Sequence, residues 1–221
     1  MHTEWPFLVV EILFVLGIVM ALRHFPWKHF NREYPQWRQH LFFASLVVLG
    51  VFWTARAAIT PGLELHFLLL TTFTLMFLWP AAMLGVVIVY LGLALTGVIH
   101  WQDVVPQAVI WGFLPIAWIT QVHRIIQKRF SHHLFIYVFA TGFWGALSTL
   151  VVTTVAWAVW LELTGQVPHE KVLHEFLFVV PLLLFGEGFL NGALLTLMVV
   201  YRPQWVKSFS DKLYLSEKKS L

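Results

Sequence analysis

The chain begins Met1-His2-Thr3-Glu4-Trp5 and then runs into a long apolar stretch. An α-amine followed at once by a histidine makes a compact chelator. The amine nitrogen, the deprotonated amide nitrogen of His2 and a ring nitrogen of His2 can lie in one plane around a metal. Such a nitrogen set suits square-planar Ni(II) or Cu(II) and leaves one corner open for a histidine from elsewhere. The chemistry needs a free, deformylated terminus with Met1 retained, and a bulky second residue such as His2 protects Met1 from removal. The same histidine also reads as an ordinary side chain at a membrane surface, and the opening residues alone leave both readings open.

His66 is the second candidate. It follows Thr60-Pro61-Gly62-Leu63-Glu64-Leu65 and opens an apolar run. It reads either as a helix-entry residue with its imidazole among headgroups or as the missing fourth corner. Glu11 and Glu187 stand within apolar runs, where a carboxylate is costly unless it is paired or turned toward the bundle interior. In "LLLFGEGFLNGALLTL", Gly186 and Gly188 flank Glu187 and permit close helix approach, while Gly188 and Gly192 form a small-xxx-small pattern. Arg56 is the one basic residue placed within the outer half of the membrane. A bridge from Arg56 to Glu187 or Glu11 would serve as glue between helices. Alternatively, Glu11 or Glu187 could hydrogen-bond a liganding imidazole from behind. His100, His169 and His174 read as loop residues that could also gather metal near an entrance. His123, His132 and His133 share the segment "HRIIQKRFSHH", a loose approach to diiron spacing. Arg124, Lys128 and Arg129 between them would repel a metal, so a solvated basic loop is the expectation.

The elements that must position these residues follow from composition. Of 221 residues, 59% are hydrophobic and 11% charged, too little charge to cover a soluble domain of this length. The class is an all-α polytopic membrane protein. With no cysteine, disulfides, iron–sulfur clusters and thiolate metal sites are excluded. No GxxxxGK[ST] phosphate loop and no nucleic-acid motif occurs. The first apolar run has neither a basic segment before it nor a small-residue cleavage site after it, so it is expected to stay in the mature protein.

Seven spans are predicted, near 6–22, 41–59, 66–79, 81–98, 104–122, 134–163 and 175–201, followed by a basic cytoplasmic tail over 202–221. The third and fourth are divided only by Pro80. Joined, they would make one helix about 50 Å long, too long for a single crossing. Proline removes a backbone donor and clashes with the preceding turn, which favours a break. Charge fixes the parity. With seven spans and the N-terminus outside, twelve of the fourteen Lys and Arg residues fall on the inner side, leaving Arg56 and Lys171. This places Met1, His2, the loop ending at His66, His100, His169 and His174 together on the outer face. The third span, short of a full crossing, is expected to be short or tilted and packed against neighbours.

The opening Met-His, the seven spans, a histidine after a Gly-containing loop and the last helix "PLLLFGEGFLNGALLTLMVVY" resemble the substrate-binding membrane component of cobalt and nickel energy-coupling-factor transporters, the CbiM/NikM family. The resemblance spans most of the chain. It implies a metal held by the Met1 amine, the amide and ring of His2, and the ring of His66. "GLELH" stands where the family has a "GTSSH"-like segment, so Leu63, Glu64 and Leu65 replace small hydroxyl residues and Glu64 adds a negative charge beside the metal. The opening also differs, reading Thr3-Glu4-Trp5-Pro6. The leading expectation is capture of a divalent transition metal, Ni or Co first, at the outer face of a bacterial inner membrane. Partners would be the lipid bilayer, a transmembrane scaffold subunit and ABC ATPases, with no nucleic acid. The alternatives are a metal-dependent membrane enzyme or copper metallochaperone using the same ligands, and a metal-free accessory membrane subunit.

Overall fold

Long apolar runs without charge can satisfy their backbone in a bilayer only by coiling into helices, and the chain does so over most of its length. The computed structural model describes residues 4–27, 36–55, 57–60, 63–131, 133–172, 177–210 and 214. Six long helical runs make the bundle. They are α1 (Trp5–His24), α2 (Gln36–Thr54), α3 (Leu70–Leu95), α4 (Trp101–Arg129), α5 (Leu134–Thr164) and α6 (Leu177–Tyr201). All but α2 are long and apolar enough to cross a membrane. α2 opens with Gln36, Arg38, Gln39 and His40, so its apolar part begins only at Leu41. α4 and α5 each contain a widened π-helical stretch, over Ala108–Phe113 and Tyr137–Trp144.

α3 is two helices joined at a break. Leu78 leaves the helical region with φ 66° and ψ 162°, a costly conformation for a leucine. Pro80, two residues on, lacks a backbone donor and its ring clashes with the turn before it, which favours a break at this point. The break falls two residues ahead of the proline and divides the expected third and fourth spans. Counting the halves 70–77 and 79–95 separately, the described residues hold seven helical segments of two turns or more.

The entry to the first half differs from expectation. The second span was expected to stay helical to 59 and the third to begin at 66. Instead α2 ends at Thr54, and Ala57–Thr60 (β1) pairs antiparallel with Leu63–Leu65 (β2). Pro61 and Gly62 between the strands are turn residues that neither helix can absorb. The chain then stays non-helical from His66 to Leu69, where φ reaches 53°, before α3 starts. Non-helical backbone at this depth is tolerated only when buried in protein, and His66, Leu68 and Leu69 are all buried.

The two ends of the bundle are chemically distinct. The rings of His24 and Trp79 lie 5.2 Å apart, and the Lys207 amide donates to the Met76 carbonyl at 3.2 Å. The end of α1, the break in α3 and the segment after α6 therefore share one end. Arg23, Arg124, Lys128, Arg129 and Arg202 lie on the helix termini gathered there, making it the basic end. At the opposite end the start of α1 meets the end of α5, with Phe7 and Trp160 5.0 Å apart edge to face. α1 and α2 both pack on α3, and from there each element packs on the next, α3 on α4, α4 on α5 and α5 on α6. The segment expected as a basic tail is docked where it is described. Val206, Phe209 and Tyr214 are buried beside Tyr137, and the Tyr137 and Ser208 hydroxyls are hydrogen-bonded at 2.6 Å.

Candidate metal centre

His66 is the first residue after β2 and only 4% exposed. Its ring lies 5.5 Å from that of Trp53 on α2, edge to face, and 5.3 Å from that of Trp111 on α4. A second layer of rings closes behind these, with Tyr90 at 4.9 Å from Trp53 and Trp157 at 5.9 Å from Trp111. Trp111 stands on the π-helical stretch, a distortion common at functional sites. The Trp53 indole donates to the Leu68 carbonyl at 3.3 Å, tying the aromatic wall to the extended strand that carries His66. Histidine is thus held in a dry aromatic box toward the end where α1 begins.

What holds the strand in place is Glu187. A helix beginning inside the bundle leaves its first amides without intrahelical acceptors. Glu187 on α6 accepts from the Leu68 amide through Oε2 and from the Leu69 amide through Oε1, each at 2.8 Å. One turn further along α6, Asn191 Oδ1 accepts from the Thr72 amide at 2.9 Å and from the Thr72 hydroxyl at 2.8 Å. The Asn191 amide group in turn donates to Glu187 Oε1 at 2.8 Å. A carboxylate at a helix N-terminus also meets the positive end of the helix dipole. The other end of this half-helix is closed in the same manner. The Ser208 amide and hydroxyl donate to the Leu75 carbonyl at 3.1 and 2.9 Å, and Lys207 covers Met76.

Glycines let these elements meet. A Cβ on Gly186 would lie 2.7 Å from the Phe67 ring, so only glycine admits the strand at that point. Gly188 and Gly192 turn the other way and face Phe143 and Leu147 of α5.

The expected residues fall into three groups. His66 and Glu187 are brought to the same strand, one residue apart from contact through Leu68. Glu11 lies on the exposed face of α1 among Leu8, Ile12 and Val15, and makes no hydrogen bond or ion pair among the described residues. His100 is exposed ahead of α4, and His169 is paired with Glu162 at 2.7 Å on the surface, an exposed contact of small energetic weight. Met1, His2, Arg56 and His174 lie outside the described residues, as does the Glu64 side chain, whose backbone pairs with Ala58. Where an Arg56 bridge was expected, the Glu187 oxygens are occupied by backbone amides and by Asn191. Among the described residues no three His, Cys, Asp or Glu side chains gather into a metal-binding group. Trp53, Trp111 and Asn191 were not singled out in the sequence. Asn191 carried a readable signal, one turn from Glu187 in an apolar helix.

A family model described as the cobalt uptake substrate-specific transmembrane region matches residues 3–205. No curated protein and no solved structure matches the chain.

Proposed function

The chain belongs to the CbiM family of cobalt-uptake transmembrane proteins, and on that premise we propose that it captures a divalent transition metal ion, Co or Ni, for uptake. The family assignment favours a multi-pass transport component over the enzyme and metallochaperone alternatives. The ligands are the Met1 amine, the amide and ring nitrogens of His2, and the ring of His66. One observation carries this reading beyond the family. The only histidine buried to below a tenth among the described residues is His66, boxed by Trp53 and Trp111 toward the end where α1 starts. Aromatic walls exclude water and fix the ring plane, which a planar nitrogen set requires. The basic end faces the cytoplasm, so capture occurs at the outer face of the inner membrane. Energy comes from a scaffold subunit and ABC ATPases, because this chain carries no phosphate loop.

The test is elemental analysis of protein purified with its native terminus. Roughly one equivalent of metal is expected, and with Ni(II) a diamagnetic yellow complex. A few residues added before Met1 convert the α-amine to an amide and should abolish binding while the helices stay folded. His2→Ala and His66→Ala should each do the same, whereas Thr3→Ala should not. Metal bound equally well by an extended terminus would overturn the proposal.

A further inference from the structure

α2 rests on α3 and makes no comparable contact with α6. The two helices therefore flank the half-helix 70–77 with a gap between them. That gap is a groove of about 210 Å³, walled by Val48 of α2, Phe73 and Met76 of α3, and Leu194 and Met198 of α6. Leu41 and Leu49 line it eight residues apart on α2, so it runs about 12 Å along the helices. The two hydroxyls in its lining are already committed. Ser45 donates to the Leu41 carbonyl at 2.7 Å, and Thr72 donates to Asn191 Oδ1 at 2.8 Å. An occupant therefore meets a wall that is almost entirely hydrocarbon.

At the basic end the groove opens into a wider space of about 500 Å³, with Leu41 and Ala44 common to both. Trp37 and His40 line this mouth from the start of α2, and Arg202, Gln204 and Trp205 line it from the segment after α6. Each of these five side chains can donate a hydrogen bond, and none has a hydrogen-bond or ion-pair partner among the described residues. No carboxylate lines either space among the described residues. Arg202 is exposed and carries the full charge of the mouth. Its guanidinium presents a planar fork matched to phosphate oxygens. Trp37 and Trp205 stand beside it, and indoles favour the boundary between headgroups and acyl chains.

We propose that this mouth and groove bind one anionic glycerophospholipid. Its phosphate lies beside Arg202, and one acyl chain lies along Ala44, Val48 and Met198. The dimensions decide against a partner helix. About 210 Å³ spread over about 12 Å gives a mean section of roughly 18 Å². A helix about 10 Å across needs roughly 80 Å², so the groove admits a single hydrocarbon chain. Free phosphate would satisfy Arg202 but leave the groove empty. A zwitterionic lipid would fill the groove but bring a cation of its own beside Arg202. Basic pockets between helices at a membrane surface hold anionic headgroups in this way. The acyl chain would close the gap between α2 and α6 over the half-helix 70–77 and reach Leu69. The proposal does not depend on the metal.

The experiment uses the full chain in neutral detergent, with lipid retention read by native mass spectrometry and stability by thermal unfolding. Phosphatidylglycerol should be retained at one copy and raise the melting temperature, while phosphatidylcholine does neither. Inorganic phosphate alone should give no comparable shift. Arg202→Gln should weaken phosphatidylglycerol retention roughly fivefold. Arg129→Gln removes an exposed cation at the same end that lines neither space, and should leave retention unchanged. Ala44→Phe blocks the junction of mouth and groove from an exposed position and should abolish retention with Arg202 intact. Equal retention of phosphatidylcholine, full stabilisation by inorganic phosphate, equal losses in Arg202→Gln and Arg129→Gln, or unchanged retention in Ala44→Phe would overturn the proposal. So would a polypeptide retained in place of lipid. Should a variant fail to fold, the comparison of lipids on the unmodified chain decides alone.

Discussion

Glu187 holds the strand that carries His66 by accepting two of its backbone amides, and this gives the residue a measurable role. Glu187→Leu strands the Leu68 and Leu69 amides and the Asn191 side chain in a dry core. Each unmet donor costs about 1–3 kcal/mol, so a loss of roughly 2–5 kcal/mol is expected. Thermal unfolding in detergent would show it as a large fall in melting temperature. Glu187→Gln should also destabilise, because its amide group would turn a donor toward amides that need acceptors. Metal affinity should fall in both variants, since the strand positions His66. A Glu187→Leu protein as stable as the parent would refute the capping role. That this carboxylate would be satisfied was legible from its place in an apolar run. Its partners were not, because backbone amides freed by a broken helix leave no mark in the sequence, whereas an arginine such as Arg56 does.

At the scale of elements, the half-helix 70–77 depends on how closely the strand before it can approach α6. Gly186 sets that approach, with the Phe67 ring where a side chain would stand. Gly186→Ala should cost about 1–3 kcal/mol through overpacking. Phe67→Ala in that background should recover part of the loss, and the coupling is read from a double-mutant cycle. Additive effects would show that the two residues do not meet. α1 offers the contrasting case. Glu11 lies on its exposed face, so Glu11→Leu should leave the isolated chain as stable or more stable, a result opposite in sign to Glu187→Leu. The break near Pro80 was visible in the sequence because proline acts locally. The strand from His66 to Leu69 was not, since Phe67, Leu68 and Leu69 suit a helix as well as an extended chain, and only burial beneath α6 selects the latter. The π-helical stretch that presents Trp111 was hidden for the same reason.

For the whole molecule, the break in α3 decides which ends meet. If α3 crossed the bundle as one straight helix, Trp79 would lie in its middle, far from either terminus. Instead Trp79 packs against His24 at the end of α1, and Met76 receives the Lys207 amide from beyond α6. The chain therefore turns back at the basic end, which puts the start of α1 and the end of α6 at opposite ends. The clustering of Lys and Arg is the sequence feature from which an odd number of crossings, with the basic end inward, is expected. The docking of residues 206–209 against Tyr137 was not legible, since a basic composition suggests a solvated tail whatever its few apolar residues do. The absence of native cysteine allows a direct test. Single cysteines at Gln166, in the exposed turn after α5, and at Lys128, near the end of α4, should be labelled from opposite sides of the membrane by an impermeant maleimide. Gln166→Cys should react in intact cells and Lys128→Cys only after permeabilisation. A cysteine placed before Trp5 should behave as Gln166→Cys does, and one at Lys207 as Lys128→Cys does. Labelling of the cysteine before Trp5 and of Lys207→Cys from the same side would mean an even number of crossings between the N-terminus and Lys207. The start of α1 and the strand bearing His66 would then no longer share an outer face, and the proposed metal centre could not assemble.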